Sequence, residues 1–482
     1  MLKPISEERI LERLCVENPW WMHGSIDEDI QAMQRRLYFS LFYPLVQERD
    51  VRRAVVLMGP RRVGKTVMMY HAIHELLQHT HRQNVCFISI DNPIYLHLGL
   101  EDLFRLAMKA VSSESAQGWY VFFDEIQYLK HWEQHLKVLV DSYPQTKFIV
   151  SGSAAAALKM QSAESGAGRF TEFMLPPLTF QEYLHLKQYE YLIKPTQCLW
   201  QGNTKELFTT INTQELNNHF LDYINYGGYP ELIFSEKMQS NLSRYVKSDI
   251  IDKVLLRDLP SLYGIQDVQE LNAFFSTLVY YSGQEVSLEA LSKSSGVDKP
   301  MLKKYLAYLE AAFLIRVVHR IDDTAKRFQR ATFYKIYLTN PSLRSAIFSP
   351  ISATDDSIGA MVETAIFAQW MHEDWFTPWY ARWTNGRVQG EVDLVGLDRR
   401  TFKPQWAVEI KWSNRYLRHV SELKSLLNFC TKQSLSSALV TTIDKEATIV
   451  HDGITIHFVP AALYAYAVGA NSLRQKSQNG TG

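Results

Sequence analysis

In the first third of the chain, short apolar runs alternate with stretches whose apolar residues recur at helical spacing. The runs Ala54–Met58, 85–90, 120–123 and 148–150 carry almost no polar residue. Strands covered on both faces read this way, and such strands build parallel sheets flanked by helices. The stretches 65–78, 100–111 and 131–142 supply the helices between them. Residues 1–165 are therefore predicted to form one α/β domain.

The pattern changes three times afterwards. Residues 166–260 read as a helical lid or connector, punctuated by Pro176-Pro177, Gly227-Gly228-Tyr229-Pro230 and Pro260. Residues 261–347 predict a short helix (288–294), a tight turn at Ser295-Gly296-Val297, a second helix (299–313) and two strands (314–321 and 332–338). A helix–turn–helix followed by a hairpin is the winged-helix pattern. Residues 348–470 open with a helix over 358–371. Strands over 379–383, 388–397 and 405–411 follow, the first two joined by an Asn385-Gly386 turn. A helix over 420–429 and a strand over 438–442 complete a separate α/β unit. The polar end, 471–482, is expected to be a mobile tail.

Composition excludes several classes. The 482 residues are 46% hydrophobic, enough for about three domains with real cores. Lys plus Arg (51) equals Asp plus Glu (51), which rules out a generally polybasic binder. Four scattered cysteines make neither a zinc array nor a disulfide framework, and fit a reducing cytoplasm. The start is charged and lacks an apolar core, so no signal peptide is expected. No run reaches the length of a membrane span, so no membrane partner is expected.

The first chemistry lies between the 54–58 strand and the next helix. Gly59-Pro60-Arg61-Arg62-Val63-Gly64-Lys65-Thr66 fits G-x-x-x-x-G-K-[ST]. Glycines let the backbone curl so that its N–H groups face phosphates. Lys65 would contact the β and γ phosphates, and Thr66 would offer a hydroxyl to Mg²⁺. The apolar run 120–123 ends in Asp124-Glu125. Asp124 is placed to hold Mg²⁺, and Glu125 to orient the attacking water. Hydrolysis of a nucleoside triphosphate is thus expected. Ser153, after the next strand, is a candidate γ-phosphate sensor. Arg169 is a candidate arginine finger acting in trans.

A second constellation lies near the other end. Glu391 and Asp393 are two apart on one strand and share a face, as do Glu409 and Lys411 on the next. Asp393 and Glu409 would bind Mg²⁺, Glu363 would add a ligand from the preceding helix, and Lys411 would steady the developing charge on a phosphodiester or position the water. The spacing D-x(15)-E-x-K resembles the PD-(D/E)-x-K nuclease fold. Between them, Lys299, Lys303, Lys304, Arg316, Arg320, Lys326, Arg327 and Arg330 outnumber Glu310, Asp322 and Asp323, so a local DNA-binding face is expected.

Taken in order, Asn18-Pro19-Trp20-Trp21, Gly59 to Thr66, Asp124-Glu125, Gly168-Arg169, Pro177-Leu178-Thr179-Phe180-Gln181-Glu182-Tyr183, Gly227 to Glu231, Arg257-Asp258, Arg382, Glu391-Val392-Asp393 and Glu409-Ile410-Lys411 resemble bacterial and archaeal AAA-type ATPases with a C-terminal nuclease-like domain. The resemblance implies an α/β fold: a parallel-sheet, origin-recognition-like P-loop ATPase core, a helical lid, a winged helix and a restriction-endonuclease-like domain. It implies ATP rather than GTP. Two functions compete. One is an ATPase that binds DNA and cleaves nucleic acid with Mg²⁺, in genome defence or mobile-element biology. The other is a nucleotide-controlled DNA- or protein-binding switch without nuclease chemistry. A weaker third is an ATPase that regulates a partner enzyme or toxin. A homo-oligomer or a separate protein partner fits any of them.

Overall fold

This computed structural model describes residues 6–95, 97–153, 168–200, 203–324, 333–370, 376–385 and 388–479. The chain divides into two compact units, Met1–Pro176 and Pro177–Gly482.

The first unit is built on five strands in the order β2-β3-β4-β1-β5, all parallel: β1 (Ala54–Met58), β2 (Val85–Ser89), β3 (Tyr120–Asp124), β4 (Lys147–Gly152) and β5 (Phe170–Met174). Every residue of β1, β3 and β4 is buried, as the unbroken apolar runs require. Each fully buried Phe of β3 contributes about 1.5–3 kcal/mol of apolar transfer. Helices Lys65–Leu76, Leu100–Ala110 and Trp132–Ser142 fall within two residues of their predicted spans.

The free edge of β2 is covered by side chains rather than by another strand. Asn18 accepts from the Phe87 N–H (2.6 Å) and donates to the Phe87 carbonyl (2.8 Å), copying a strand neighbour. The Trp20 and Trp21 indoles both donate to the Val85 carbonyl at 2.8 Å. The Asn-Pro-Trp-Trp segment is thereby an edge cover.

The first boundary differs from expectation. β5 belongs to the parallel sheet, so the unit runs to Pro176 and not to 165. Its sequence, Phe-Thr-Glu-Phe-Met, alternates and is only half-buried, as an edge strand can be, and so lacks the continuous apolar signature. The stretch that follows is also not purely helical: β6 (Ile193–Trp200) and β7 (Asn203–Thr210) form an antiparallel pair.

The second unit holds a nine-stranded sheet in the order β15-β16-β14-β13-β12-β11-β9-β10-β8. Its members are β8 (Glu285–Ser287), β9 (Ile315–Ile321), β10 (Phe333–Leu338), β11 (Trp379–Asn385), β12 (Val388–Leu397), β13 (Pro404–Glu409), β14 (Ser437–Thr442), β15 (Ala447–His451) and β16 (Ile454–Pro460). Helices Leu288–Ser295 and Lys299–Ala311 precede the β9–β10 hairpin, near the spans read from sequence. Gly296 turns between them in the left-handed region (φ 77°), and Asp298 caps the second through the Met301 N–H at 2.7 Å.

The predicted boundary at 347/348 crosses this sheet. β9 pairs parallel with β11, with Trp379 opposite His319 and Ala381 opposite Ile321. Backbone groups on the free side of β9 find partners there instead of remaining an open edge. The hairpin and the following α/β segment are therefore one structural body. The helix Ala461–Asn479 runs through the first nine positions of the stretch expected to be a tail. Gly386 of the predicted turn, Met371 of the predicted helix, and Lys326, Arg327 and Arg330 of the basic stretch lie outside the described residues.

Candidate functional site

In a parallel sheet every strand ends at the same edge. The loop after β1, the end of β3 and the end of β4 must therefore converge, and they do. Gly59 is required there: a Cβ would stand 2.1 Å from the Leu175 carbonyl oxygen. Gly64 caps the Lys65–Leu76 helix in the left-handed region (φ 91°). Arg36 braces the curl by donating to the carbonyls of Val63 (2.9 Å) and Pro176 (2.8 Å). The Lys65 ammonium is buried inside the loop, on the carbonyls of Gly59 (3.0 Å) and Pro60 (2.8 Å).

The Thr66 hydroxyl donates to Asp124 Oδ2 at 2.7 Å, joining the loop to β3 across β4. The Ser151 hydroxyl donates to the other Asp124 oxygen. Burial, then the neighbouring Glu125, raises the Asp124 pKa, against the opposing pull of Ser151, Thr66 and Lys65. Glu125 sits in the left-handed region (φ 55°), an uncommon conformation for a residue with a side chain. Gln127 donates to its carboxylate and accepts from the Ser153 N–H at 3.1 Å. The Ser153 hydroxyl is buried, with no hydrogen-bond partner among the described residues. Gln127 was not legible as a site residue, because nothing in its sequence neighbourhood marks it.

Arg169 is elsewhere. It precedes β5, and its carbonyl accepts from the Ala54 N–H at the start of β1, while the phosphate loop follows the end of β1. Its guanidinium pairs with Asp141 at 2.7 Å. Within its own chain it does not join the phosphate loop, because parallel strands put their starts and ends at opposite edges.

The second constellation does come together, with an addition the sequence did not announce. Lys335 on β10 reaches Glu363 Oε1 (2.9 Å), Glu391 Oε1 (2.8 Å) and Asp393 Oδ1 (3.3 Å), with its own side chain 3% exposed. Lys411 pairs with Glu409 Oε1 (2.8 Å) and Asp393 Oδ2 (3.4 Å). β13 ends at Glu409, so Lys411, expected within a strand over 405–411, lies beyond the observed one, where its backbone N–H donates to the Thr441 hydroxyl (2.7 Å) and its carbonyl accepts from it (2.8 Å). Arg382 bridges Glu391 (3.2 Å) and Glu285 (3.1 Å), and Arg320 adds to Glu285 (3.3 Å).

Burial pulls the Lys335 pKa down, but Glu363, Tyr337, Asp393 and Glu391 outweigh it and hold the ammonium charged. Burial would raise Asp393, yet Lys411 and Lys335 keep it ionised and lower its pKa. Glu409 is pushed up to about 8 by burial and by Asp393, and its Oε2 has no hydrogen-bond partner among the described residues. Glu363 is raised by burial. Among the described residues, no three carboxylate, histidine or cysteine side chains are arranged to hold a metal ion. The carboxylates expected as ligands, Glu363, Asp393 and Glu409, are neighbours, but each is paired with a lysine.

The basic helix keeps its charge outward. Lys299, Lys303 and Lys304 are exposed, and among the described residues only Lys299 has an acidic partner, Glu289 at 3.9 Å. Arg316 and Arg320, by contrast, are committed to Glu310 and Glu285.

Residues 51–184 match the family described as an AAA domain. Most of that match lies in the first unit, whose five-stranded parallel sheet is consistent with a P-loop nucleotide-binding core. Residues 217–355 match a domain of unknown function, DUF8612. Over 286 residues the chain is 23% identical to an uncharacterized protein of Methanocaldococcus jannaschii, a match covering 58% of this chain and 60% of that protein. Over 306 residues it is 24% identical to an uncharacterized protein of Haemophilus influenzae, covering 62% and 70%. The match therefore spans less than two thirds of the archaeal relative. The ORC2 protein of Aeropyrum pernix, solved in ADPNP–ADP complexes, aligns at 12% identity with a TM-score of 0.35, covering 59% of this chain and 88% of that one. Among the described residues no helix is long and apolar enough to cross a membrane.

Proposed function

We propose that the protein is an ATP-driven switch: the AAA-type unit binds and hydrolyses ATP, and the second unit docks nucleic acid through the exposed lysines of the Lys299–Ala311 helix. The Thr66–Asp124 contact carries the catalytic half of this reading. A hydroxyl and a carboxylate, both hard oxygen donors, are brought together at 2.7 Å beside a phosphate-binding loop, which fits Mg²⁺. Those two residues would hold it, and when bound it neutralises charge on the β and γ phosphates.

The chain's own groups do the rest. Backbone N–H groups of the loop from Arg61 to Thr66 receive the phosphate oxygens. Lys65 exchanges its two loop carbonyls for the β and γ phosphates. Glu125 orients the attacking water once Gln127 releases it, and the Ser153 hydroxyl, which has no hydrogen-bond partner among the described residues, suits a contact to the γ-phosphate. ATP is preferred over GTP on the match to AAA domains.

The docking half rests on geometry common to winged-helix elements: two helices, a tight turn, and a hairpin, with the second helix presenting Lys299, Lys303 and Lys304 outward. Cleavage of nucleic acid by Asp393, Glu409 and Lys411 is the competing reading. The direct contacts of Lys335 with Glu363, Glu391 and Asp393 favour the switch, because those carboxylates are already satisfied.

One assay separates the two. Phosphate release and plasmid cleavage are followed together for wild type, Lys65→Ala and Glu409→Ala. The switch predicts ATP turnover that is lost in Lys65→Ala, kept in Glu409→Ala, and accompanied by no cleavage. Divalent-dependent cleavage that disappears in Glu409→Ala would establish the nuclease instead.

A further inference from the structure

The buried cluster of the second unit has more to say than that its acids are paired. Three carboxylates from two elements, Glu363 on the Ile358–Trp370 helix and Glu391 and Asp393 on β12, turn one oxygen each toward a single point. The Lys335 ammonium occupies that point. Lys335 comes from β10, the inner strand of the hairpin after the basic helix, where it stands opposite Val318 of β9 and Glu285 of β8. The Tyr337 hydroxyl, two residues along the same face, donates to Glu363 Oε1 at 2.5 Å.

Three anionic oxygens around one centre are the type of donor a hard divalent cation selects, although with the lysine among them these acids are not arranged to hold one. Here they stand 2.8–3.3 Å from nitrogen, at hydrogen-bonding distances, whereas Mg²⁺ demands about 2.0–2.1 Å. The wider cluster nearly balances itself: Glu285, Glu363, Glu391, Asp393 and Glu409 face Arg320, Lys335, Arg382 and Lys411.

We propose that Lys335 is the resident cation of this centre, filling by covalent attachment the place a divalent ion would take, so that the wild-type protein binds no metal there and loss of the lysine opens a metal site. This deepens the switch reading of the second unit and does not depend on nucleotide chemistry. A buried ammonium on a strand is expensive to desolvate and is retained only with close anionic partners. Glu363, Glu391 and Asp393 are those partners. Conversely, without Lys335 the three acids lose their shared neutralising charge. They must then protonate, repel one another, or recruit a cation.

A consequence is mechanical. The lysine ties the hairpin to β12 and to the Ile358–Trp370 helix, so the segment with the basic helix and the α/β segment are pinned by charge as well as by the β9–β11 ladder.

The test uses the full chain without nucleotide and Mn²⁺ as the probe, counting bound Mn²⁺ by electron paramagnetic resonance and following the melting temperature. Wild type is expected to show no saturable Mn²⁺ at this centre. Lys335→Met is expected to bind one more Mn²⁺ per chain, at least about tenfold tighter than any site of wild type, to melt higher with Mn²⁺ than without, and to lose both effects when Asp393→Asn is added. Wild-type Mn²⁺ uptake that Asp393→Asn abolishes would overturn the proposal, as would a folded Lys335→Met protein that takes up no extra ion. Should Lys335→Met not fold, Lys335→Met combined with Glu363→Gln and Glu391→Gln decides. If neutralising these acids is what the lysine does, that triple variant folds, and if it too is unfolded the proposal fails. None of these outcomes requires ATP turnover, so a failure here is distinct from a failure of the ATPase reading.

Discussion

Thr66 Oγ1 and Asp124 Oδ2 stand 2.7 Å apart although 58 positions separate them in the chain. The contact follows from strand order. β4 lies between β1 and β3, and with all strands parallel the loop after β1 and the last residue of β3 emerge on the same edge. A hydroxyl and an acid placed this way can share one Mg²⁺, and Glu125 follows next in the chain.

Glu125 is the residue whose removal should separate binding from turnover. Glu125→Gln keeps the shape and the contact with Gln127 but cannot orient or polarise water as a carboxylate does. ATP turnover should fall by about 10²–10⁴-fold, the usual worth of a general base, while nucleotide affinity stays within a few-fold. Steady-state phosphate release beside equilibrium nucleotide binding checks this, and unchanged turnover would remove Glu125 from the chemistry.

Asn18 should matter for stability and not for nucleotide chemistry. Asn18→Ala strips two hydrogen bonds from the β2 edge and leaves the buried Phe87 N–H and carbonyl without that partner. The expected cost is about 1–3 kcal/mol, read as a lower midpoint in urea denaturation with the slope unchanged. An unchanged midpoint would show that the edge cover contributes little.

Much of the first unit was legible because its information is local. β1, β3 and β4 are buried on both faces, so each writes a continuous apolar run, and the phosphate loop sits between a strand and a helix that both announce themselves. β5 was not legible, since an edge strand with one wet face alternates like many other segments. The single sheet of the second unit was hidden for another reason: the β9–β11 pairing joins residues some sixty positions apart, and no local pattern encodes it. Lys335 was missed because a lysine in a strand reads as solvent-facing. Only the convergence of Glu363, Glu391 and Asp393 explains why it is inside. Glu391 with Asp393, and Glu409 with Lys411, were singled out by alternation and by the D-x(15)-E-x-K spacing, while the lysine that pairs with Glu363, Glu391 and Asp393 was not.

Glu409 gives the second unit a pH signature. Its carboxyl, ordinarily near 4.5, is raised to about 8 in the folded protein by burial and by Asp393. Between those values the folded state holds a proton the unfolded chain has released, so this group's contribution to stability falls as pH rises through the window. Glu409→Gln removes the titration. Its melting temperature should vary less than that of wild type from about pH 5 to about pH 9, and should exceed wild type at the alkaline end. A wild-type profile that Glu409→Gln leaves unaltered would contradict a buried carboxyl whose Oε2 has no partner among the described residues.

The lysines of the Lys299–Ala311 helix should act through phosphates and not through bases. Lys303→Glu and Lys304→Glu, singly, should weaken binding to duplexes of any sequence to a similar degree, and each should lower the slope of log affinity against log salt by about 1. Fluorescence anisotropy across a salt series measures both. Affinity and slope untouched by either change would leave the helix without a nucleic-acid role.

The account stands or falls on a triphosphate held by the loop from Gly59 to Thr66. Equilibrium titration of the full chain with a fluorescent ATP analogue and Mg²⁺, beside Lys65→Ala, is the direct measurement. The predicted result is one saturable site per chain, competed by ATP and weakened by about 10²-fold or more in Lys65→Ala, the scale on which a single placed charge acts. No saturable binding, or binding that Lys65→Ala leaves unchanged, would contradict it.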